Sequence, residues 1–148
     1  MGMATKTLQE LAKAMGRIDF AMLTTRTKGG RMASRPMSNN GEVEYQGDSY
    51  YFSWDTARSV RDIAADPEVG LVFQGSAGLL GKPPLFVAVQ GTARLVRDRA
   101  SFAKHWSKDL DRWFPEGIGT PGVVMIHVRA ARIHYWDGAE EGDITVNG

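Results

Sequence analysis

Apolar and polar positions change period several times along the chain, and each change marks an element. Leu8, Leu11, Ala12 and Met15 recur on one face of a 3.6-residue repeat, so residues 7–17 read as an amphipathic helix. Thr7 to Glu10 has the spacing of a capping box, and Gly16 falls near the helix end. Phe20 to Arg26 reads as a strand. Thr27-Lys28-Gly29-Gly30 reads as a turn with two glycines for positive φ, and Arg31 to Asn39 as the returning strand. Pro36 cannot donate to a ladder, so that strand has an edge, a bulge or a ligand there. Asn40-Gly41 is a good hairpin turn, and Glu42 to Gln46 alternates like a short strand.

Tyr50 to Phe73 is the stretch around which the rest is organised. Tyr50, Tyr51, Phe52 and Trp54 suit a pleated, half-buried surface. The chain then turns at Asp55-Thr56-Ala57 into a short helix, with Asp55 or Thr56 as its N-cap. Val60, Ile63 and Ala64 give that helix an apolar face, and Asp66-Pro67 stops it. Val69 to Phe73 reads as a buried strand. The first helical turn carries Arg58 and Ser59 where free N–H groups and the positive end of the helix dipole favour an anion. A guanidinium fork and the hydroxyls of Thr56 and Ser59 suit a phosphate; an ordinary capped helix with a solvated arginine is the alternative.

Beyond Phe73 lies a Gly/Pro-rich loop, Gly75 to Pro84, then a long strand from Leu85 to Val96 that Gly91 bends. Asp98 can cap a helix holding Phe102 and Trp106, and a second helical piece carries Leu110 and Trp113. Phe114 to Gly122 is a loop, Val123–Val128 and Ala131–Trp136 are two more strands, and Gly138 to Gly148 is a small acidic tail with a mobile end. Six to eight strands with short connections predict an antiparallel sheet. Their regular spacing and glycine bends predict a small barrel, mainly β, with short helices on its ends and one flank.

The 148 residues fit one domain, with an ordered core over about 7–138 and a tail over 139–148. A net charge of +1 gives no electrostatic case for nucleic acid or an anionic membrane. The chain has no cysteine, which excludes disulfides and thiolate chemistry, and no apolar run reaches transmembrane length. A soluble, cytoplasmic protein is expected. His105, His127 and His134 lack metal-ligand spacing, so no metal is expected, although His127 and His134 fall in adjacent predicted strands and can face each other. Trp106 reads as core. Asp109 and Asp111 read as a solvated helical face, and Ser34 and Ser53 have no histidine partner, so no catalytic residue is assigned.

Three segments, SRPMS (34–38), YFSWDTARSVRDIAADPEVGLVF (51–73) and RIHYWDG (132–138), together with GTARLV (91–96), resemble the flavin mononucleotide (FMN)-binding split barrels of the pyridoxamine 5′-phosphate oxidase superfamily, in particular their general stress protein branch. The likeness spans about Leu8 to Gly138. It implies an antiparallel split β-barrel and a homodimer with two flavin sites at the interface. Carried over by position, Ser34, Arg35, Pro36 and Met37 lie beside the isoalloxazine ring, and Ser53, Trp54 and Asp55 follow the ring and ribityl chain. Thr56, Ala57, Arg58 and Ser59 hold the phosphate. Ser59 replaces a lysine common in the oxidases, which leaves Arg58 as the main charge, with Arg61 one turn on. Trp136 approaches the flavin from the other subunit, and Trp113 lies near the ring. The family's oxidases hold substrate with an arginine and a histidine after the tryptophan strand. Here Ala139 to Thr145 is acidic and has neither, which argues against pyridoxamine phosphate oxidase activity.

These features fit a flavin's needs: a flat apolar slot, polar contacts for the pyrimidine edge and an anion site at the far end. A positive charge from Arg35 near the pyrimidine edge would favour the anionic reduced ring. The expectation is an FMN-dependent oxidoreductase with a small-molecule redox partner. A non-catalytic flavin store or stress sensor, a deazaflavin-binding reductase and an interaction module are the alternatives, and flavin adenine dinucleotide could fit if the Gly75–Pro84 loop leaves room. No dinucleotide fingerprint follows a strand, so a nicotinamide donor would have to visit the same slot.

Overall fold

The computed structural model describes residues 6–39 and 45–146, apart from the side chain of Leu79. Helix α1 (Leu8–Met15) leads into β1 (Phe20–Arg26), β2 (Met32–Ser38), β3 (Asp48–Trp54), α2 (Arg58–Ala65), β4 (Glu68–Gln74) and β5 (Phe86–Val96). Then come α3 (Arg99–His105), β6 (Val123–Asp137) and β7 (Glu140–Thr145), with short 3₁₀ turns at Leu79–Gly81, Lys108–Arg112 and Gly117–Gly119. The local signals explain most boundaries. Thr7 caps α1 by accepting from the Glu10 N–H at 3.1 Å, and Asp98 caps α3 by accepting from the Ser101 N–H at 3.0 Å. Asp66 leaves the helical region at φ −148°, as the proline after it requires.

All pairings are antiparallel, in the order β2-β1-β4-β5-β6-β3, with β7 joined to β6. β3 pairs with the first half of β6, from Val123 to Arg129, and β7 with the second half, from Arg132 to Asp137. The two short strands therefore lie end to end along one edge of a single long one. β2 and β3 stand at opposite ends of the order and share no ladder, yet both line the same cleft. The sheet thus curls on itself and leaves a seam: a split barrel, mainly β, with three short α-helices. Ala21, Leu23, Leu71, Phe73, Val87, Val89, Ile126, Ile133 and Tyr135 fill the inside, and Leu11, Met15, Val60 and Ile63 close it from α1 and α2. A second apolar cluster, around Phe52, Phe102 and Phe114, lies under α3.

Gly91 is needed where it stands. The β5–β6 register shifts between Gln90 and Gly91, and a Cβ on Gly91 would run into the backbone of Arg129.

The structure changes several expectations. The strands read as Val123–Val128 and Ala131–Trp136 are one continuous strand, because β5 supports both halves and nothing turns between them. The segment after Gly138 forms β7 rather than a tail; its acidic side chains have cationic or hydroxyl partners, which a composition reading cannot see. Strand β4 is half-buried, with Val72 45% exposed, rather than buried on both faces. Of the two turn glycines only Gly30 has positive φ, +82°. The Asn40-Gly41 turn and residues 42–44 of the short strand lie outside the described residues, and Tyr45 and Gln46 are not in a strand. Among the described residues no helix is long and apolar enough to cross a membrane.

Candidate functional site

A cleft of about 450 Å³ opens at the seam between β2 and β3, within the range typical of small-molecule sites. Strand β2 contributes Arg35, Pro36, Met37 and Ser38; β3 and the turn after it contribute Phe52, Ser53, Trp54 and Ala57. Arg58 and Ser59 of α2 stand in its wall, and Leu110, Trp113 and Phe114 cover it from the 3₁₀ segment. Most of the lining is apolar. Trp54 and Trp113 are 42% and 60% exposed, unusual for tryptophans and suited to a planar guest. Trp54 is propped by Phe114, ring centres 4.9 Å apart, so its indole is fixed rather than free.

The start of α2 differs from the expected one. Neither Asp55 nor Thr56 caps it: the N-cap is Ala57, and no side chain satisfies the first turn. The intrahelical ladder begins with the Arg61 N–H donating to the Ala57 carbonyl, so the N–H groups before it have no helical acceptor. Asp55 is drawn away instead, accepting from Arg97 Nη2 at 2.7 Å. Among the described residues Arg58 makes no salt bridge. A helix opening with free donors and an unpaired guanidinium, at one end of an apolar cleft, is built for an anion.

Arg35 is placed in the cleft wall, but the protein already holds its guanidinium. Arg35 Nη1 donates to Thr25 Oγ1 at 2.7 Å and to the Leu23 carbonyl at 3.3 Å, while Nη2 lies 3.7 Å from Asp62 Oδ2. Thr25 donates in turn to Asp62 at 2.8 Å. Burial holds the Arg35 pKa below the usual value; Asp62 opposes that shift and the nearby Arg58 adds to it. Asp62 and Thr25 escaped the sequence reading. The signal available was an aspartate between the buried Val60 and Ile63, where a lone charge needs a partner.

Of the expected site residues, Arg35, Pro36, Met37, Ser53, Trp54, Arg58, Ser59 and Trp113 come together in the cleft. Ser34 lies just outside, its hydroxyl 2.7 Å from Thr24 Oγ1 on the outer sheet face. Asp55 and Thr56 are not in the lining. Trp136 is on β6, opposite Phe86, beside a separate recess with Arg132, His134 and Asp143. Phe20, Phe52, Leu110 and Phe114 are walls that the sequence reading did not assign to the site.

The histidines do not face each other, since His127 and His134 lie on the same strand. His127 Nε2 is 2.8 Å from Asp48, and its Nδ1 accepts from Arg94 Nε at 3.3 Å. His134 sits between Asp143 at 2.7 Å and Glu141 at 2.9 Å, which raise its pKa, Asp143 foremost. Burial lowers the pKa of His105, which stacks on Tyr50 at 3.5 Å. Asp111, read as part of a solvated face, accepts from the Trp106 indole N–H at 3.0 Å.

A curled antiparallel sheet open along one seam, with an aromatic cleft and an uncapped helix start at that seam, defines a split barrel. Residues 6–147 match the pyridoxamine 5′-phosphate oxidase like family, and the chain belongs to it. A protein from Clostridium acetobutylicum related to general stress protein 26 superposes with a TM-score of 0.76 at 18% identity, over 95% of this chain and 94% of that one. General stress protein 26 of Bacillus anthracis gives 0.69 at 18% identity, over 90% and 93%. At such identity these likenesses speak for the fold. Protein bli-3 of Neurospora crassa is 29% identical over 138 residues, 86% of this chain, and the chain spans 63% of that protein's length.

Proposed function

We propose that the cleft binds FMN and that the protein is a flavin-dependent oxidoreductase of the general stress protein type, acting as a homodimer. One observation carries the reading: the uncapped start of α2, with Arg58 unpaired, stands at one end of a cleft walled by Pro36, Met37, Phe52, Trp54 and Trp113. A phosphate there would accept from the free N–H groups and from Arg58, and a flat ring would lie against the apolar walls. When bound, the flavin supplies the electron transfer; the chain positions it and sets its electrostatics. The indoles of Trp54 and Trp113 exclude water from one side. Ser53 and Ser38 offer hydroxyls at the cleft edge.

A second copy is favoured by the outer sheet face. Pro36, Met22, Val72 and Ala88 are successive cross-strand partners, and Met22 and Val72 are 40% and 45% exposed. Phe20, Phe86 and Trp136 add to this apolar band, and Phe20 and Pro36 also line the cleft. A copy packed on this band would bury it beside the cleft and bring Trp136 to its partner's site.

Pyridoxamine phosphate oxidase activity is not part of the proposal, because β7 carries Glu140, Glu141 and Asp143 and neither arginine nor histidine. These acids are engaged by Lys6, His134 and Arg132, so the missing cations weigh more than simple repulsion of a phosphate. The test is native mass spectrometry of the protein as isolated. FMN released on denaturation, one per chain of a dimer, is the expected result. A colourless protein that does not take up added FMN would refute the proposal.

A further inference from the structure

The seam continues past the cleft into a second recess of about 220 Å³. Along β2 the lining passes from Arg35 in the cleft, through Met37 and Ser38 in both openings, to Asn39 in the recess. Along β3 it passes from Trp54 in the cleft, through Phe52 in both, to Tyr50 in the recess. Both progressions lead away from Arg58, so the seam is one groove with its anion seat at one end and the recess at the other. Leu110 covers the junction.

The two ends differ in chemistry. At the recess, Asp19 and Asp109 offset Lys108, the one lysine or arginine among its described lining residues. This end therefore holds no excess positive charge for a second phosphate or a carboxylate. Its other polar groups are neutral and held in place. The Tyr50 ring is clamped between His105, at 3.5 Å, and His127, at 4.6 Å, and His127 is fixed by Asp48 and Arg94. The Tyr50 hydroxyl has no hydrogen-bond partner among the described residues, and burial raises its pKa, so it keeps its proton. Burial lowers the pKa of His105, so its imidazole is uncharged at neutral pH. A phenol and a neutral imidazole suit a neutral polar group, and Met37, Phe52 and Leu110 give an apolar body its floor.

A flavin's partner must also exchange two electrons, which a quinone does; it is flat and neutral, and its carbonyl accepts from a phenol. We infer that the recess seats the redox partner and that this partner is a neutral quinone: its carbonyl end meets Tyr50 and His105, and its body extends over Met37 and Phe52 toward the cleft. The inference rests on the flavin reading above and names the substrate class of that same site. The quinone takes two electrons and one proton from the reduced flavin and a second proton from solvent. Oxidised flavin and the hydroquinone are left.

The experiment is calorimetric titration of naphthoquinone into the FMN-loaded, oxidised protein, where no electron transfer occurs. Naphthoquinone sulfonate serves as the anionic control. The proteins are the parent, Ser107→Trp and Tyr50→Phe. Ser107 lines the recess and not the cleft, so an indole there fills the recess alone; Tyr50→Phe keeps the stacked ring and removes the hydroxyl. The parent should bind naphthoquinone and hold the sulfonate about tenfold more weakly or worse, since the recess offers that charge no counterpart. Ser107→Trp should abolish binding. Tyr50→Phe should weaken it by about 2- to 10-fold, the worth of one neutral hydrogen bond. FMN affinity should be the same in all three. Equal binding of the sulfonate, or a naphthoquinone affinity unchanged in either variant, overturns the inference. If Ser107→Trp does not fold, Tyr50→Phe and the sulfonate still decide. A protein that takes up no FMN refutes the flavin reading; an FMN-loaded protein that binds no naphthoquinone refutes this one alone.

Discussion

Arg58→Ala is the sharpest test of the anion seat. In the free protein Arg58 is exposed and makes no salt bridge among the described residues, so its removal should cost the fold little. It opens α2 at a helix start that no side chain caps. Charge-assisted hydrogen bonds to a phosphate contribute roughly 1.5–3 kcal/mol, so its loss should weaken FMN binding by about 10- to 150-fold. The assay is quenching of flavin fluorescence on titration, run in parallel with riboflavin, which has the same ring and no phosphate. Riboflavin affinity should not change. FMN binding to the parent should weaken with salt, and binding to the variant much less so. Equal losses for the two ligands, or no loss for either, would refute the reasoning: the first by making Arg58 a general support of the cleft, the second by placing the phosphate elsewhere.

Two further outcomes follow from features outside the cleft. Val72→Glu places a charge in the outer apolar band while leaving the core untouched, and should convert the proposed dimer to monomer in sedimentation velocity with an unchanged far-ultraviolet spectrum. The His134 clasp on β7 should depend on pH from both sides. Its imidazole has a raised pKa, so its contribution is complete below the unfolded value and is lost as pH rises through the folded one. Asp143 has a lowered pKa, through Arg132 first and His134 second, so its share is lost as pH falls through that lowered value. Amide exchange in Asp143–Thr145, corrected for intrinsic rates, should be slowest between those limits, and His134→Gln should remove the alkaline limb.

The elements that were legible from the sequence are those whose cause is local. Thr7, Asp98 and Pro67 act within a few residues of the boundaries they set, and β1 and the aromatic strand follow from side-chain type alone. The cleft was legible to the extent that it lies along two short stretches, 35–37 and 53–59. What escaped depends on partners far along the chain. Asp55 looks like a cap until Arg97, 42 residues on, takes its carboxylate. The acidic end looks like a tail until His134 and Arg132 engage it. Arg35 looks like a free cation until Asp62 is brought behind it by the packing of α2 on β1. In each case the sequence shows a charge, and only the fold supplies its counterpart.

The end-to-end arrangement of β3 and β7 has a mechanical consequence. β6 is their common spine, flanked by β5 on its other side along nearly its whole length. Either short strand can peel from it without breaking the other's ladder, whereas β6 can leave only if both let go. One end of the spine is laddered to Trp54 in the cleft, and the other carries Trp136, so a strain applied at the outward tryptophan runs along one continuous strand to Val123, the ladder partner of that cleft residue. Pulled at its two ends, the molecule should shed its edges separately and yield its spine last.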